Sequence, residues 1–244
     1  SCGRFSFVRT PFFCRLLVRF SRPGGLVIRP EPEIIFTFVQ TKRSMKVLYT
    51  ALLALLLFPS CRRQSGDIDS FLHNAESLMN EHPEDALSII RHIDRRKIYS
   101  SASEARYALL YSQALDKNYV DVTSDSLTAV AVNYYDRHGT KHERAMAHYY
   151  QGRVFSNAGN FDAAIRSYSL AEDAASGTDD YYLLGLINNA VGNLHFEQYD
   201  LDEALQRDQQ AASFFHRAQS PYNEALAYIG VGTVYSLKGD NEQM

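Results

Sequence analysis

Histidine and glutamate occur next to each other at positions 142 and 143, a pair that could begin a zinc-protease helix. In that motif two histidines four residues apart on one helix face bind zinc, and the glutamate acts as the general base. The position of the second histidine is Met146 here, so the metal would lack a ligand. The pair therefore does not predict a zinc enzyme.

The other residues that could perform chemistry are also incomplete sets. Gly230-Val231-Gly232 could begin a dinucleotide-binding loop, but the third glycine is replaced by Tyr235 and no strand pattern precedes it. Acidic pairs such as Asp179-Asp180 lie at predicted helix starts, where carboxylates stabilise the helix dipole. The eight histidines have no cysteine partners and no ligand spacing, at positions 73, 82, 92, 138, 142, 148, 195 and 216. We therefore predict that this chain is not an enzyme and holds no cofactor and no metal.

Charge divides the chain into two unequal parts. The net charge is +6 in residues 1–44 and −9 in residues 45–244, and the overall value of −3 gives no basic case for nucleic-acid binding by this segment. Residues 1–44 contain seven of the fourteen phenylalanines but no tyrosine, and they show neither helical nor alternating periodicity. We interpret them as translated upstream sequence before an initiator at Met45, or alternatively as a genuine, poorly ordered basic extension.

A short apolar segment follows Met45 and ends just before a cysteine. Lys46 precedes twelve apolar or weakly polar residues, which is the length of a signal peptide and too short to span a membrane comfortably. The segment 45–60 followed by Cys61 resembles a bacterial lipoprotein signal, which implies lipidation of Cys61 as the mature N-terminus and a linker over 61–66. Phe58 and Pro59 depart from the usual pattern, and Arg62-Arg63 oppose export of that end. An uncleaved signal anchor is therefore the alternative.

An internal repeat occupies the second half of the chain. Gly152, Gly192 and Gly232 follow one another at a constant interval and in similar surroundings. Small residues keep the same register after the first two glycines, at Ala164 and Ala204 and again at Ala171 and Ala211. The interval between these glycines is the period of the repeat.

The repeat resembles the tetratricopeptide repeat (TPR), a hairpin of two helices. That family has glycine or alanine in the first helix, then an aromatic residue, a glycine turn, and spaced alanines in the second helix. The first copy matches with Gly152, Phe155, Gly159, Ala164, Tyr168 and Ala171, and the third copy has Gly232, Tyr235 and Gly239. The middle copy departs at His195, Tyr199 and Asp208, and the period exceeds the usual ~34 residues, which predicts longer helices.

The resemblance implies an all-α solenoid of antiparallel hairpins, because one hairpin cannot bury its apolar face alone. We place two degenerate hairpins at 67–140 as an N-terminal cap, TPR hairpins at 141–178 and 179–220, and a truncated hairpin at 221–244. Pro221 is predicted at the first position of a helix. The chain ends about where another helix is expected, so we expect the natural protein to continue.

Family members commonly bind peptides in a groove lined by the first helices of the hairpins. Residues four apart on those helices share a face, which gives a candidate peptide-binding set of Tyr149, Arg153, Asn189, Asn193, Phe196, Ile229 and Thr233. Asparagine can bind a peptide backbone, arginine a carboxylate, and the aromatic rings supply apolar area. The alternative is that the aromatic residues pack between hairpins and the asparagines are only solvated.

Two functions remain open at this stage. The first is an envelope-anchored, periplasm-facing lipoprotein whose groove binds a protein or peptide and whose lipid contacts the membrane. The second is the periplasmic sensor part of a signalling or transcription-regulating protein whose transmembrane and output domains follow residue 244.

Overall fold

The structure, a computed structural model, describes residues 19–21, 25–27 and 60–239, with side chains from residue 67 onward. The chain divides into two compact units, Ser1–Cys61 and Arg62–Met244. In the first unit, strands β1 (Arg19–Ser21) and β2 (Gly25–Val27) pair antiparallel, with Phe20 opposite Leu26. The sequence predicted no fold for residues 1–44, so this short pair is a difference from that expectation.

The predicted signal segment 45–60 lies outside the described residues except for Ser60. Cys61 is the second residue of the first helix, and its side chain, on which the lipidation prediction depends, also lies outside them. Among the helices that the structure describes, none combines the length and apolar character needed to cross a bilayer.

The described residues from 60 to 239 are helical, which confirms the all-α prediction for this region. The helices of this region are α1 (Ser60–Leu78), α2 (Pro83–Arg91), α3 (Ser101–Lys117), α4 (Thr128–His138), α5 (Lys141–Asn157), α6 (Phe161–Ala175), α7 (Tyr181–Glu197), α8 (Leu201–Arg217) and α9 (Pro221–Lys238). A short 3-10 turn at Arg95–Lys97 separates the second from the third. The helices of the repeat are long enough to fill most of its period.

Four of these helices, α3, α5, α7 and α9, begin at the interval of the repeat, at positions 101, 141, 181 and 221. We call them the periodic helices. The residue before three of them is a side-chain cap: Ser100, Thr140 and Asp180 each accept a hydrogen bond from the backbone N–H three residues later. Such caps satisfy donors that a helix cannot satisfy internally. The fourth begins with Pro221 at its first position, as predicted. The period therefore extends one copy further upstream than its glycines do.

The turn after each periodic helix also repeats. Tyr119, Gly159, Tyr199 and Gly239 are left-handed, with φ of 56°, 69°, 62° and 78°. After the first three, the next backbone N–H bonds to a carbonyl five residues earlier, which is the pattern of a Schellman cap. The turn glycines at 159 and 239 were predicted. Tyr119 and Tyr199 adopt the same left-handed conformation, although a side chain disfavours it.

Packing follows chain order, with an additional set of contacts between alternate helices. Each helix from α2 to α9 contacts the next, and α3 also contacts α5, which in turn contacts α7. One buried apolar cluster joins α3 to α7, and a second joins α1, α2 and α3. The periodic helices thus lie beside one another as far as α7.

Two helices come unusually close at Gly152. A Cβ atom at Gly152 of α5 would overlap the ring of Tyr168 on α6. Tyr168 is 1% exposed, and Ala164 and Ala171, on either side of it along α6, are fully buried. In the next hairpin Gly192 of α7 faces Asp208 of α8 in the same way, and Ala204 and Ala211 are again fully buried. The predicted steric role of these small residues agrees with this geometry, and Phe155 packs half-buried beside them.

The third repeat glycine has different surroundings. A Cβ atom on Gly232 would have no atom within 4 Å among the described residues, and Tyr235 is only half-buried. The part of the chain that the structure describes thus places no side chain opposite Gly232.

Alanine substitutions at Gly152 and Gly232 form a matched pair with opposite expected effects. Gly152→Ala should destabilise the fold by about 1–3 kcal/mol, because the added methyl group overlaps the Tyr168 ring. Gly232→Ala should stabilise it by about 0.5–1 kcal/mol, because alanine favours a helix and meets no neighbour there. Urea unfolding of both full-length variants measures the difference. Equal effects at the two positions would contradict this packing.

Candidate peptide-binding groove

The predicted groove residues lie on α5, α7 and α9, three of the periodic helices. Because α5 and α7 are in contact, the residues on those two helices lie on neighbouring elements. Their burial differs widely, so they do not all have the same role.

Tyr149 is a packing residue in this structure. It is 6% exposed, its ring lies edge-on to Tyr150 at a centroid distance of 5.0 Å, and it contacts Tyr168 at 5.9 Å. Burial raises the pKa of its hydroxyl well above the ordinary tyrosine range. Tyr149 therefore fits the packing alternative, whereas Phe196 is half-buried and keeps part of its ring accessible.

Arg153 already has a carboxylate partner within the protein. Its Nε atom lies 2.7 Å from Oδ1 of Asp116 on α3, and about a third of its side chain is exposed. Burial, the largest single effect, lowers the pKa of the guanidinium, but the charge of Asp116, its hydrogen bond and the neighbouring tyrosines together raise it by more, so the net direction is upward. The ion pair joins α3 to α5. Sequence reasoning missed Asp116, because nothing in the repeat marks a position 37 residues before Arg153.

A cavity beside this ion pair is too small for an organic ligand. It encloses about 20 Å³ between the end of α3, the segment before α4, and α5. That volume is close to the minimum for one water molecule. Arg153 and Asp116 on its wall therefore join helices here and do not bound a ligand pocket.

The two asparagines of the predicted set, both on α7, have different surroundings. Asn193 is exposed, whereas Asn189 donates a hydrogen bond from Nδ2 to Oδ1 of Asp208 at 3.3 Å. Asp208 is 3% exposed and lies between Gly192 on α7 and Gly230 on α9, either of which would clash with it if it carried a Cβ atom. Burial raises the pKa of Asp208 to about 6, against a smaller lowering by Asn189.

Asp208 breaks the repeat, and the sequence alone gave no role for it. It occupies the position of Tyr168 in the preceding copy, and the sequence analysis noted it only as a departure. In the structure, the same position brings a carboxylate between two helices of the predicted groove. The departure from the repeat was thus the signal that could have found it.

The two α9 residues of the predicted set are both exposed. Ile229 is 64% exposed, and Thr233 is exposed and donates a hydrogen bond from its hydroxyl to the Ile229 carbonyl at 2.8 Å. Leu226 and Leu237, on the same helix, are 44% and 48% exposed. This helix therefore presents an apolar surface.

Another polar network, centred on Arg207, joins α8 to α6 and α7. Arg207 on α8 reaches Glu172 on α6 and Asn188 on α7, at 3.2 and 3.1 Å, and also Glu203 within its own helix. Asn188 is fully buried. The described residues contain no group of three side chains suited to holding a metal ion. The described helices thus offer exposed side chains on α7 and α9, and polar contacts such as those of Arg207 hold neighbouring helices together.

Comparison with known proteins gives a likeness at the level of the fold. No family model matches the chain, and no curated protein matches it. Among solved structures, the chain is similar to BtubC (BKLC) from P. vanneervenii, with a TM-score of 0.50 and 14% sequence identity, over 75% of this chain and 86% of that one. At this identity the likeness concerns the helical fold alone.

The buried Asp208 predicts an unusual dependence of stability on pH. Its folded pKa of about 6 exceeds the ordinary value of 3.8, so the folded state binds the proton more tightly. Stability should then fall as pH rises from about 4 to about 6, by roughly 3 kcal/mol at 1.36 kcal/mol per pKa unit, and stay level above that range. Asp208→Asn should remove this loss and be more stable than the wild type at pH 7.5 but not at pH 4.

Urea unfolding of the wild type and the Asp208→Asn variant at four pH values measures the difference in their free energies of unfolding. The contributions of other titrating groups largely cancel in this difference. Asp121→Asn, at an exposed aspartate before α4, is the control and should change little. A stability difference that is the same at pH 4 and pH 7.5 would contradict the role assigned to Asp208.

Proposed function

We propose that this chain is an envelope-anchored scaffold that binds a protein or peptide in a groove lined by the first helices of a TPR-like solenoid. The observation that carries the proposal is the regular start of the periodic helices α3, α5, α7 and α9, the first three of which are in contact side by side. Helices that recur at a fixed interval and pack side by side form a continuous surface, which suits an extended ligand.

The family assignment rests on the hairpin contacts. Gly152 and Gly192 each face a side chain of the following helix, at the positions where the repeat predicts close approach. The alanines that flank those side chains are fully buried. The helical likeness to a solved structure is consistent with the assignment at the level of the fold.

Within the proposed groove the ligand would meet four of the seven predicted residues. Asn193, Ile229 and Thr233 are exposed and Phe196 is partly so, which offers amide, hydroxyl and apolar contacts on α7 and α9. Tyr149, Arg153 and Asn189 would instead fix the helices that carry those contacts, because each is already engaged within the protein. The proposal therefore shifts the ligand contacts from α5 toward α7 and α9.

Anchoring forms the second half of the proposal. The apolar segment before Cys61 supports export and acylation, and acyl chains would then hold the helical unit at a membrane surface. A periplasm-facing position follows from the resemblance to lipoprotein signals, with a signal-anchored protein as its alternative.

Substitutions on the exposed face of the proposed groove test the binding function. Peptides recovered from a random display library on the full-length protein serve as probes, measured by titration calorimetry. Ile229→Asp combined with Asn193→Ala should weaken them at least tenfold, because it places a charge in an apolar contact and removes an amide.

Tyr99→Asp changes an equally exposed residue, 70% accessible, that precedes α3 and lies outside the groove. It should leave peptide affinity unchanged, and thermal unfolding of each variant checks that the fold is intact. If no peptide is recovered, or if the double variant binds the recovered peptides as tightly as the wild type, the groove assignment is wrong.

Labelled palmitate tests the anchor in the native host. The full-length gene product should incorporate the label and yield a chain starting at Cys61, whereas Cys61→Ala should incorporate none. Intact mass spectrometry identifies the N-terminus in both cases. Unlabelled wild-type protein with residues 45–60 retained would favour the uncleaved signal anchor.

A further inference from the structure

A second cleft, with a volume of about 410 Å³, lies where α5 meets the end of α4 and the second half of α6. None of the seven predicted groove residues lines it. Its walls include Lys141, Arg144, His148, Asp136, Asp173 and Leu170. The volume falls within the roughly 300–1,000 Å³ of sites for small organic molecules.

Three of these side chains form one nitrogen-rich stripe. Lys141, Arg144 and His148 are three and four residues apart on α5, a spacing that places them on the same helix face. They face the cleft from one wall, while Asp136 and Asp173 reach it from α4 and α6.

Arg144 has no partner in the part of the chain that the structure describes. Its guanidinium makes no hydrogen bond or ion pair, and its Nε atom is buried without an acceptor. A buried donor without an acceptor is costly, and it is costlier on a charged group. The guanidinium of Arg144 belongs to the lining of the cleft, and a carboxylate there could pair with its terminal N–H groups, because the two oxygens match the planar donors of a guanidinium.

His148 shows a related deficit. The residue is 4% exposed, and its Nε2 atom lies 2.8 Å from Oδ1 of Asp136. Its Nδ1 atom is buried and has no partner among the described residues. Asp136 thus pairs with His148, and no contact joins it to Arg144 in the described part of the chain.

We propose that this cleft binds a small zwitterionic carboxylate of the α-amino acid class. Arg144 binds the carboxylate through two N–H donors, and Lys141 adds a second positive charge. Among the described residues, Lys141 donates a long hydrogen bond, 3.4 Å, to the Ser176 carbonyl. Asp173 is exposed and makes no side-chain hydrogen bond or ion pair among the described residues, and its carboxylate accepts a hydrogen bond from the amino group of the ligand. Leu170, 50% exposed, contacts the ligand side chain.

The two carboxylates at the cleft favour a zwitterion over a phosphate. They would repel a doubly charged anion, whereas an amino group beside the carboxylate matches Asp173. The site shares no residue with the proposed groove, so the two proposals can fail separately.

Titration calorimetry of the full-length protein, with the twenty common L-amino acids as probes, tests the proposal. Two comparison compounds follow: inorganic phosphate, and the carboxylic acid that equals the best-binding amino acid without its amino group. At least one amino acid should bind more than tenfold tighter than either comparison compound. Arg144→Gln should weaken that amino acid at least tenfold, and Asp173→Asn should weaken it severalfold.

Arg166→Gln, at an exposed arginine of α6 outside the cleft, is the control and should bind as the wild type does. Leu170→Asp provides a variant at an exposed position that keeps the test informative if Arg144→Gln does not fold, and it should abolish binding. The proposal is overturned if no amino acid binds at 10 mM, if phosphate binds as tightly as the best amino acid, or if the folded Arg144→Gln or Leu170→Asp variant retains full affinity.

Discussion

The close approach of paired helices at a glycine is the constraint on which the described helical region depends. At Gly152 the backbone of α5 lies against the ring of Tyr168, and no larger residue fits between them. The fully buried Ala164 and Ala171 let α6 approach along its length. Because tight packing of large rings against small residues recovers dispersion energy that a gap would lose, the pair fixes both the distance and the rotation of the two helices.

That rotation decides which side chains remain accessible. Turning α5 so that Gly152 faces Tyr168 buries Tyr149 against the same ring, while Arg153 reaches Asp116 on α3. On α9 no described side chain lies opposite Gly232, and Ile229 on that helix remains 64% exposed. Tyr149 and Ile229 occupy the same position of the repeat, yet the first is buried in the core and the second is accessible on the surface.

Sequence periodicity predicted the features that repeat, and it could not predict those that occur once. The glycines at 152 and 192 and the alanines that follow them identified the hairpins, because close packing needs small residues at fixed intervals. The left-handed turn at Tyr199 was not evident, because tyrosine seldom adopts that conformation and is placed there by the cap hydrogen bonds on both sides. The Arg153–Asp116 pair depends on the rotation of two helices, which a single repeat does not specify.

Asp208 shows how a departure from the repeat changes the physics without changing the fold. A carboxylate is much smaller than the ring it replaces, yet α7 still carries Gly192 at the close-approach position. Part of the space left by the missing ring is closed by Gly230 of α9, which approaches the carboxylate from the other side. In the first copy Tyr168 contacts one neighbouring helix through Gly152, whereas Asp208 contacts both α7 and α9. The pKa of this buried acid is raised to about 6. Because Asn189 is the one hydrogen-bond donor to that acid among the described residues, the charge state of Asp208 is linked to the position of a residue on α7.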